Sequence, residues 1–157
     1  MGQQQLLLLV LGIVIVGIAV VAGIQAFSEG KAKAQQDAAV TDAMRIISDT
    51  QAWKLKPKAF GGGDDGSTAF TLVNLKALGY PVASSGSAYI TTNGCFTLTG
   101  GDAASLAVHA LADGETAGSD ATACAGDEIA TVTINGTESN NITWAYAAGT
   151  GGGTGGG

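Results

Sequence analysis

Residues 2–28 read GQQQLLLLVLGIVIVGIAVVAGIQAFS, and this stretch decides the fold. From Leu6 to Ile24 every residue is Leu, Val, Ile, Ala or Gly, nineteen in succession. A helix of that stretch rises about 28 Å, close to the roughly 30 Å hydrocarbon thickness of a bilayer. Such a surface does not stay in water unaided. A cleaved secretory signal is the competing reading, with Val20-Val21-Ala22 as its cleavage site. Three observations count against it: the run exceeds the usual length of about 7–15 residues, no basic segment precedes it, and helical patterning continues past it. Gly12, Gly17 and Gly23 each weaken a helix by about 1 kcal/mol relative to Ala. In lipid, small residues let helices approach closely, and Ala19 and Gly23 have the small-xxx-small spacing. Gln3, Gln4 and Gln5 are costly to bury unpaired; each both donates and accepts hydrogen bonds, to water at a membrane interface or to one another in a bundle of helix ends.

Working outward, periodicity carries on. Val40, Met44 and Ile47 follow an i, i+4, i+7 track, Ala39, Ala43, Ile46, Thr50 and Trp53 run beside it, and Asp37, Asp42, Arg45 and Asp49 occupy largely the other side. No proline occurs before Pro57, which stops the helix. These features predict one helix from about residue 3 to about residue 55, roughly 80 Å long at 1.5 Å per residue. Its first half is wholly apolar and its second half amphipathic. The second half is expected to pack on its own domain while the first half protrudes to be buried elsewhere.

Charge follows the same division. The 157 residues carry a net charge of −6 with only 13% charged side chains. Residues 1–28 hold none, residues 29–58 hold six basic against four acidic, and residues 59–157 hold Lys76 against nine acidic. A head that acidic offers little to phosphates, so nucleic-acid binding by it is not expected. Flanking charge places Lys31 and Lys33 on the cytoplasmic side of a membrane. The cysteines and the Thr/Gly-rich head suggest the opposite orientation, which a basic leader, since removed, would reconcile.

After the loop Gly61-Gly62-Gly63-Asp64-Asp65-Gly66, short alternating runs predict a β-rich head. A weak element (strand or short helix) is expected at 70–75, with strands at 88–92, 95–99, 106–111, 129–134 and 142–147. Thr92-Asn93-Gly94 suits a type I′ hairpin turn. The expected architecture is α+β, with the amphipathic half of the helix covering the one apolar face of a small antiparallel sheet. The domains are 1–28, the apolar helix; 29–56, its amphipathic continuation; 57–148, the head; and 149–157, a Gly-rich tail.

Cys95 and Cys124 are the only cysteines. In a chain with a membrane-length segment they are expected to form a disulfide outside the cytoplasm rather than a metal site or buried free thiols. Closing a loop of that size contributes around 3–4 kcal/mol in the chain-entropy account. His109 is the only histidine and sits in an alternating run. No nucleophile motif, phosphate loop or calcium-loop spacing accompanies it, so neither enzymatic activity nor a cofactor or metal is expected. Carboxylates at Asp64-Asp65, Asp113 with Glu115, and Asp127-Glu128 read as a solvated acidic surface. Asn135-Gly136-Thr137 and Asn141-Ile142-Thr143 match the glycosylation sequon. Among 25 Ser plus Thr such matches arise readily by chance, so Asn135 and Asn141 stand as candidate acceptors only.

Together these residues resemble a type IV pilin: Gly-Gln-Gln-Gln before a Leu/Ile/Val run, a helix continuing into an amphipathic half, a β-rich head and a late cysteine pair. The resemblance covers the architecture of the whole chain, and its specific part is residues 2–55. It implies a membrane-anchored subunit exported by its N-terminal helix, a prepilin peptidase that removes a leader, an assembly machinery, and a homo-polymer built by burying that helix in a filament core. The implied locations are the cytoplasmic membrane before assembly and an extracellular pilus after it, with adhesion and motility as the associated roles. Carried onto this chain, the core-forming residues are Gln3, Gln4, Gln5, Leu6, Leu9 and Gly12, continued by Ile13, Val16, Gly17, Val20, Gly23 and Ile24.

Two features depart from the family pattern. The usual glutamate at the fifth mature position is Gln5 if Met1 is the first mature residue, or Leu7 if cleavage follows Gly2. A neutral Gln still hydrogen-bonds a neighbour's terminal amine but gives no ion pair. The helix-breaking proline usual in the apolar half is absent, which favours a continuous helix, as in archaeal filaments of this superfamily. The alternative to a filament subunit is a minor pseudopilin or a membrane-tethered binding module of a secretion or adhesion machine.

Overall fold

The computed structural model describes residues 2–82, 88–112, 114–118 and 123–147. The tail expected at 149–157, and Asp113 of the acidic clusters, lie outside the described residues. Helix α1, Gly2–Leu55, is continuous over 54 residues, as the unbroken periodicity and the absence of proline require. Pro57, which has no N–H to donate, starts a short 3-10 helix, Lys58–Phe60. Gly61 closes that turn in the left-handed conformation (φ 78°), its N–H donating to the Lys58 carbonyl. The chain forms two compact units, Met1–Ala34 and Gln35–Gly157, whose boundary falls inside α1.

In the second unit five strands follow α1: β1 (Ala88–Ile90), β2 (Cys95–Thr99), β3 (Ala104–His109), β4 (Glu128–Ile134) and β5 (Ile142–Tyr146). They form one antiparallel sheet in sequential order, so every neighbour is reached by a local connection. The fold is therefore α+β, as the sequence pattern requires. Alternation sets the faces: Leu106 pairs with Val132, Val108 with Ala130, and Ala104 with Ile134, and all six are buried. These residues pack with Ala39, Ala43, Ile46 and Ile47 of α1 and with Phe70, Val73 and Leu75 in one core.

The structure corrects the sequence reading in three places. Residues 70–75 form no regular element; Phe70 N–H donates to Gly101 O, while Val73, Leu78 and Tyr80 make only local turn bonds. Their apolar side chains fill the core without a ladder, which alternation alone does not distinguish from a strand.

The Asn93-Gly94 turn is not type I′, since neither residue has a positive φ. β1 stops at Ile90 instead, and the Thr91 hydroxyl accepts from the N–H groups of both Asn93 and Gly94 at 3.2 Å, which closes the turn by a side chain. On α1 the buried positions come from both apolar tracks, Ala39, Ala43, Ile46, Ile47 and Thr50, while Val40 is half-buried and Met44 is 56% exposed. The sheet meets the side where the two tracks adjoin, where Ala39 and Ala43 are small enough to let helix and strands approach.

The sheet is also covered on more than one face. Ala88, Ile90 and Cys95 form a second buried cluster with Leu111 and Cys124, on the side of β2 opposite Phe96.

Candidate functional site

The first unit presents the candidate site as a surface. All residues from Leu6 to Ile24 are exposed, and this stretch is apolar and long enough to cross a membrane. At about 100° per residue, Leu6, Leu9, Gly12, Ile13, Val16, Gly17, Val20, Gly23 and Ile24 fall within a sector of about 140°. Gln5 falls in the same sector; Gln3 and Gln4 lie to either side of it. The structure thus brings nine of the expected core positions and Gln5 onto one stripe. A Cβ added at Gly12, Gly17 or Gly23 would meet nothing within 4 Å, so no contact within the chain requires a glycine there.

The second unit fastens its half of α1 to the head by polar side chains. Lys54 is 6% exposed, and its ammonium donates to Gly63 O and Ala69 O at 2.7 Å each and to Asp65 Oδ1 at 3.3 Å. Its Nζ also lies 5.8 Å from the centre of the Phe70 ring. This ammonium occupies a cage of three oxygens that draws the loop after Pro57 onto the helix end. Asp65 in turn accepts from the Ser67 hydroxyl and N–H, and these bonds together with Lys54 hold its carboxyl well below the usual carboxylate range.

Farther along, Gln51 Nε2 donates to Gly136 O and Glu138 O at 3.2 Å, and Asn93 Nδ2 donates to Asp42 Oδ2 at 2.8 Å. The Tyr80 hydroxyl donates to Asp49. Burial and then that carboxylate push the Tyr80 hydroxyl well above the usual tyrosine range. Sequence reasoning missed these contacts. Asp42 and Asp49 read as solvent-side charges, and nothing in a lone Lys54 beside Trp53 signals burial, because lysine is exposed by default.

Cys95 and Cys124 are joined by a disulfide, with Cα atoms 5.6 Å apart. It ties the segment after β3 over the second buried cluster, where Gly118 N–H donates to Ile90 O. His109 Nδ1 donates to the Gly126 carbonyl at 3.0 Å, so the histidine holds the same segment and is spoken for structurally. A Cβ at Gly126 would fall 1.9 Å from Ala110 O, which shows how closely that backbone packs. Among the described residues no group of three His, Cys, Asp or Glu is placed to hold a metal ion. Asn135 is exposed at the end of β4, whereas Asn141 is half-buried and its amide lies 2.3 Å from where a Gly136 Cβ would stand. Both asparagines thus fall in the β4–β5 connection, and the second sequon runs on into β5.

Comparison of this chain with known families, with curated proteins and with solved structures returns no match in any of the three.

Proposed function

We propose that this chain is a structural subunit of an extracellular, type IV pilus-like helical filament. In this reading it is held in the cytoplasmic membrane by the first part of α1 before assembly, and it polymerises by burying that part in the filament core. One observation carries the reading: the exposed apolar run 6–24 and the core stripe of the head, Ala39 to Thr50, belong to a single uninterrupted helix.

The glycines support the same reading. They lower helix propensity by about 1 kcal/mol each and serve no contact within the chain, so a close-packed neighbour supplies their purpose. Moving the run from lipid to a helix bundle gains little hydrophobic energy, so close packing and Gln hydrogen bonds drive that step; outside the membrane the full hydrophobic effect reinforces it. The role is structural, without catalysis.

The test is negative-stain electron microscopy of material sheared from producing cells, with mass spectrometry of the subunit's N-terminus. Thin filaments whose subunit retains the run 6–24 are expected. A soluble monomer that begins near Gly23 or Phe27 would make the run a discarded signal. Membrane-retained monomers without filaments would leave a tethered binding module.

A further inference from the structure

The dipeptide Asn-Gly occurs twice in the chain, at Asn93-Gly94 and at Asn135-Gly136. In this pair the glycine nitrogen reaches the preceding side-chain carbonyl readily, because no Cβ stands in the way. The fold gives the two copies opposite surroundings. At the first, the groups that would react are held. The Gly94 N–H donates to Thr91 Oγ1 at 3.2 Å, and Asn93 Nδ2 donates to Asp42 Oδ2 of α1 at 2.8 Å. The Asn93 N–H donates to the same hydroxyl at 3.2 Å, and the Gly94 carbonyl accepts from the Thr91 N–H at 2.9 Å. Gly94 is buried, and a Cβ there would lie 2.7 Å from His109 O.

At the second, Asn135 is exposed, and neither its side-chain amide nor the Gly136 N–H makes a hydrogen bond among the described residues. The bonds that fix this connection fall to either side: the Asn135 N–H donates to Asn141 O at 2.8 Å, while Gly136 O and Glu138 O accept from Gln51. The peptide unit between Asn135 and Gly136 thus lies between two anchored points without being anchored itself.

We propose that Asn135 is a self-modification site of the head, at which the Gly136 nitrogen closes on the Asn135 side-chain carbonyl carbon to give a succinimide. The Cγ–N bond forms, the Cγ–Nδ2 bond breaks, and the side-chain nitrogen leaves as ammonia with the proton that Gly136 gives up. No oxidant or reductant takes part. Water then opens the ring. Cleavage at Cγ–N gives aspartate at this position, and cleavage at the backbone carbonyl gives isoaspartate, in which the main chain runs through the side chain. Either product adds a carboxylate to the connection that carries the exposed Glu138 and erases the sequon Asn135-Gly136-Thr137. Isoaspartate also lengthens the backbone by one atom beside the carbonyls that Gln51 holds. The inference concerns the head alone and does not depend on the filament reading.

The test incubates the full-length protein in detergent in mildly alkaline buffer, which promotes loss of the Gly136 N–H proton. Peptide mass spectrometry then reads amide-to-acid conversion, and chromatography separates the isoaspartyl form. Conversion at Asn135 is expected to run about tenfold or more ahead of conversion at Asn93, which reacts only after local opening. In denaturant with the disulfide reduced, the two sites are expected to agree within about threefold, because the held geometry is gone. Gly136→Ala is expected to slow conversion at Asn135 by about tenfold or more; its Cβ meets the amide end of Asn141, a side chain that can turn aside. Equal rates at the two sites in the folded chain overturn the proposal, as does an Asn135 that keeps its amide when folded and loses it in denaturant. An unchanged rate in Gly136→Ala overturns the succinimide route. A glycan on Asn135 in protein from producing cells also overturns it, since the amide nitrogen is then taken.

Discussion

The ammonium of Lys54 stands 3.3 Å from the Asp65 carboxylate and 2.7 Å from the carbonyl oxygens of Gly63 and Ala69, with only 6% of the lysine exposed. A buried cation with three oxygen partners is a structural peg: it joins the end of α1 to the irregular segment that carries Phe70 into the core. Replacing it leaves two inward carbonyls without a donor. Lys54→Met is therefore expected to destabilise the head by about 2–3 kcal/mol, read as a shift in the denaturation midpoint of the full-length protein in detergent. An unchanged midpoint would mean that the lysine merely lies over the loop.

The same peg gives the head an acid-sensitive element. Bonds from Ser67 and from Lys54 lower the Asp65 pKa in the folded state. The carboxylate's contribution is thus complete above the ordinary unfolded value of about 4 and is lost as pH falls from there toward the folded value. Asp65→Asn is expected to lower stability at neutral pH and to flatten the decline below about pH 4. Parallel decline in the variant and the parent would assign the acid sensitivity to other carboxylates.

The choice of buried stripe on α1 is open to a paired substitution. Ile46 is 1% exposed and Met44 56% exposed. Ile46→Ala is expected to cost about 2–4 kcal/mol, whereas Met44→Ala stays within about 0.5 kcal/mol. Equal costs would mean that Met44 is packed as well.

Reduction of Cys95–Cys124 opens a loop of 29 residues. The chain-entropy account predicts a loss of about 3–4 kcal/mol, visible as a lower midpoint in reductant. Cys124→Ser is expected to show the same loss and no further response to reductant. A reductant effect that persists in this variant would locate the sensitivity elsewhere.

Gly17 lies on the exposed apolar stripe and touches no other part of the chain. Gly17→Glu is expected to abolish filaments, because a carboxylate cannot be buried unpaired at a helix interface, while the head keeps its disulfide and its folded near-ultraviolet signature. Normal filaments from this variant would exclude burial of that face.

Much of this molecule is determined by local sequence. Nineteen apolar residues without a charge, then 3.6-residue periodicity up to Pro57, suffice for one long helix, because backbone hydrogen bonds within a helix need no distant partner. Alternation places β2 at 95–99 as observed and locates the other four strands to within two residues at each end. The candidate surface 6–24 was equally legible, since hydropathy is a property of the run itself.

Tertiary structure alone decided the rest. Which positions on the apolar side of α1 meet the sheet depends on how closely the backbones approach; a sequence holding Val40 and Met44 beside Ala39 and Ala43 does not rank them. Whether residues 70–75 join a ladder depends on a free strand edge at the right place. Burial of Lys54 depends on three oxygens that lie 9 to 15 residues beyond it, gathered by a loop whose path the core dictates. Short-range periodicity is written residue by residue, whereas these choices belong to partners that meet only when the chain has folded.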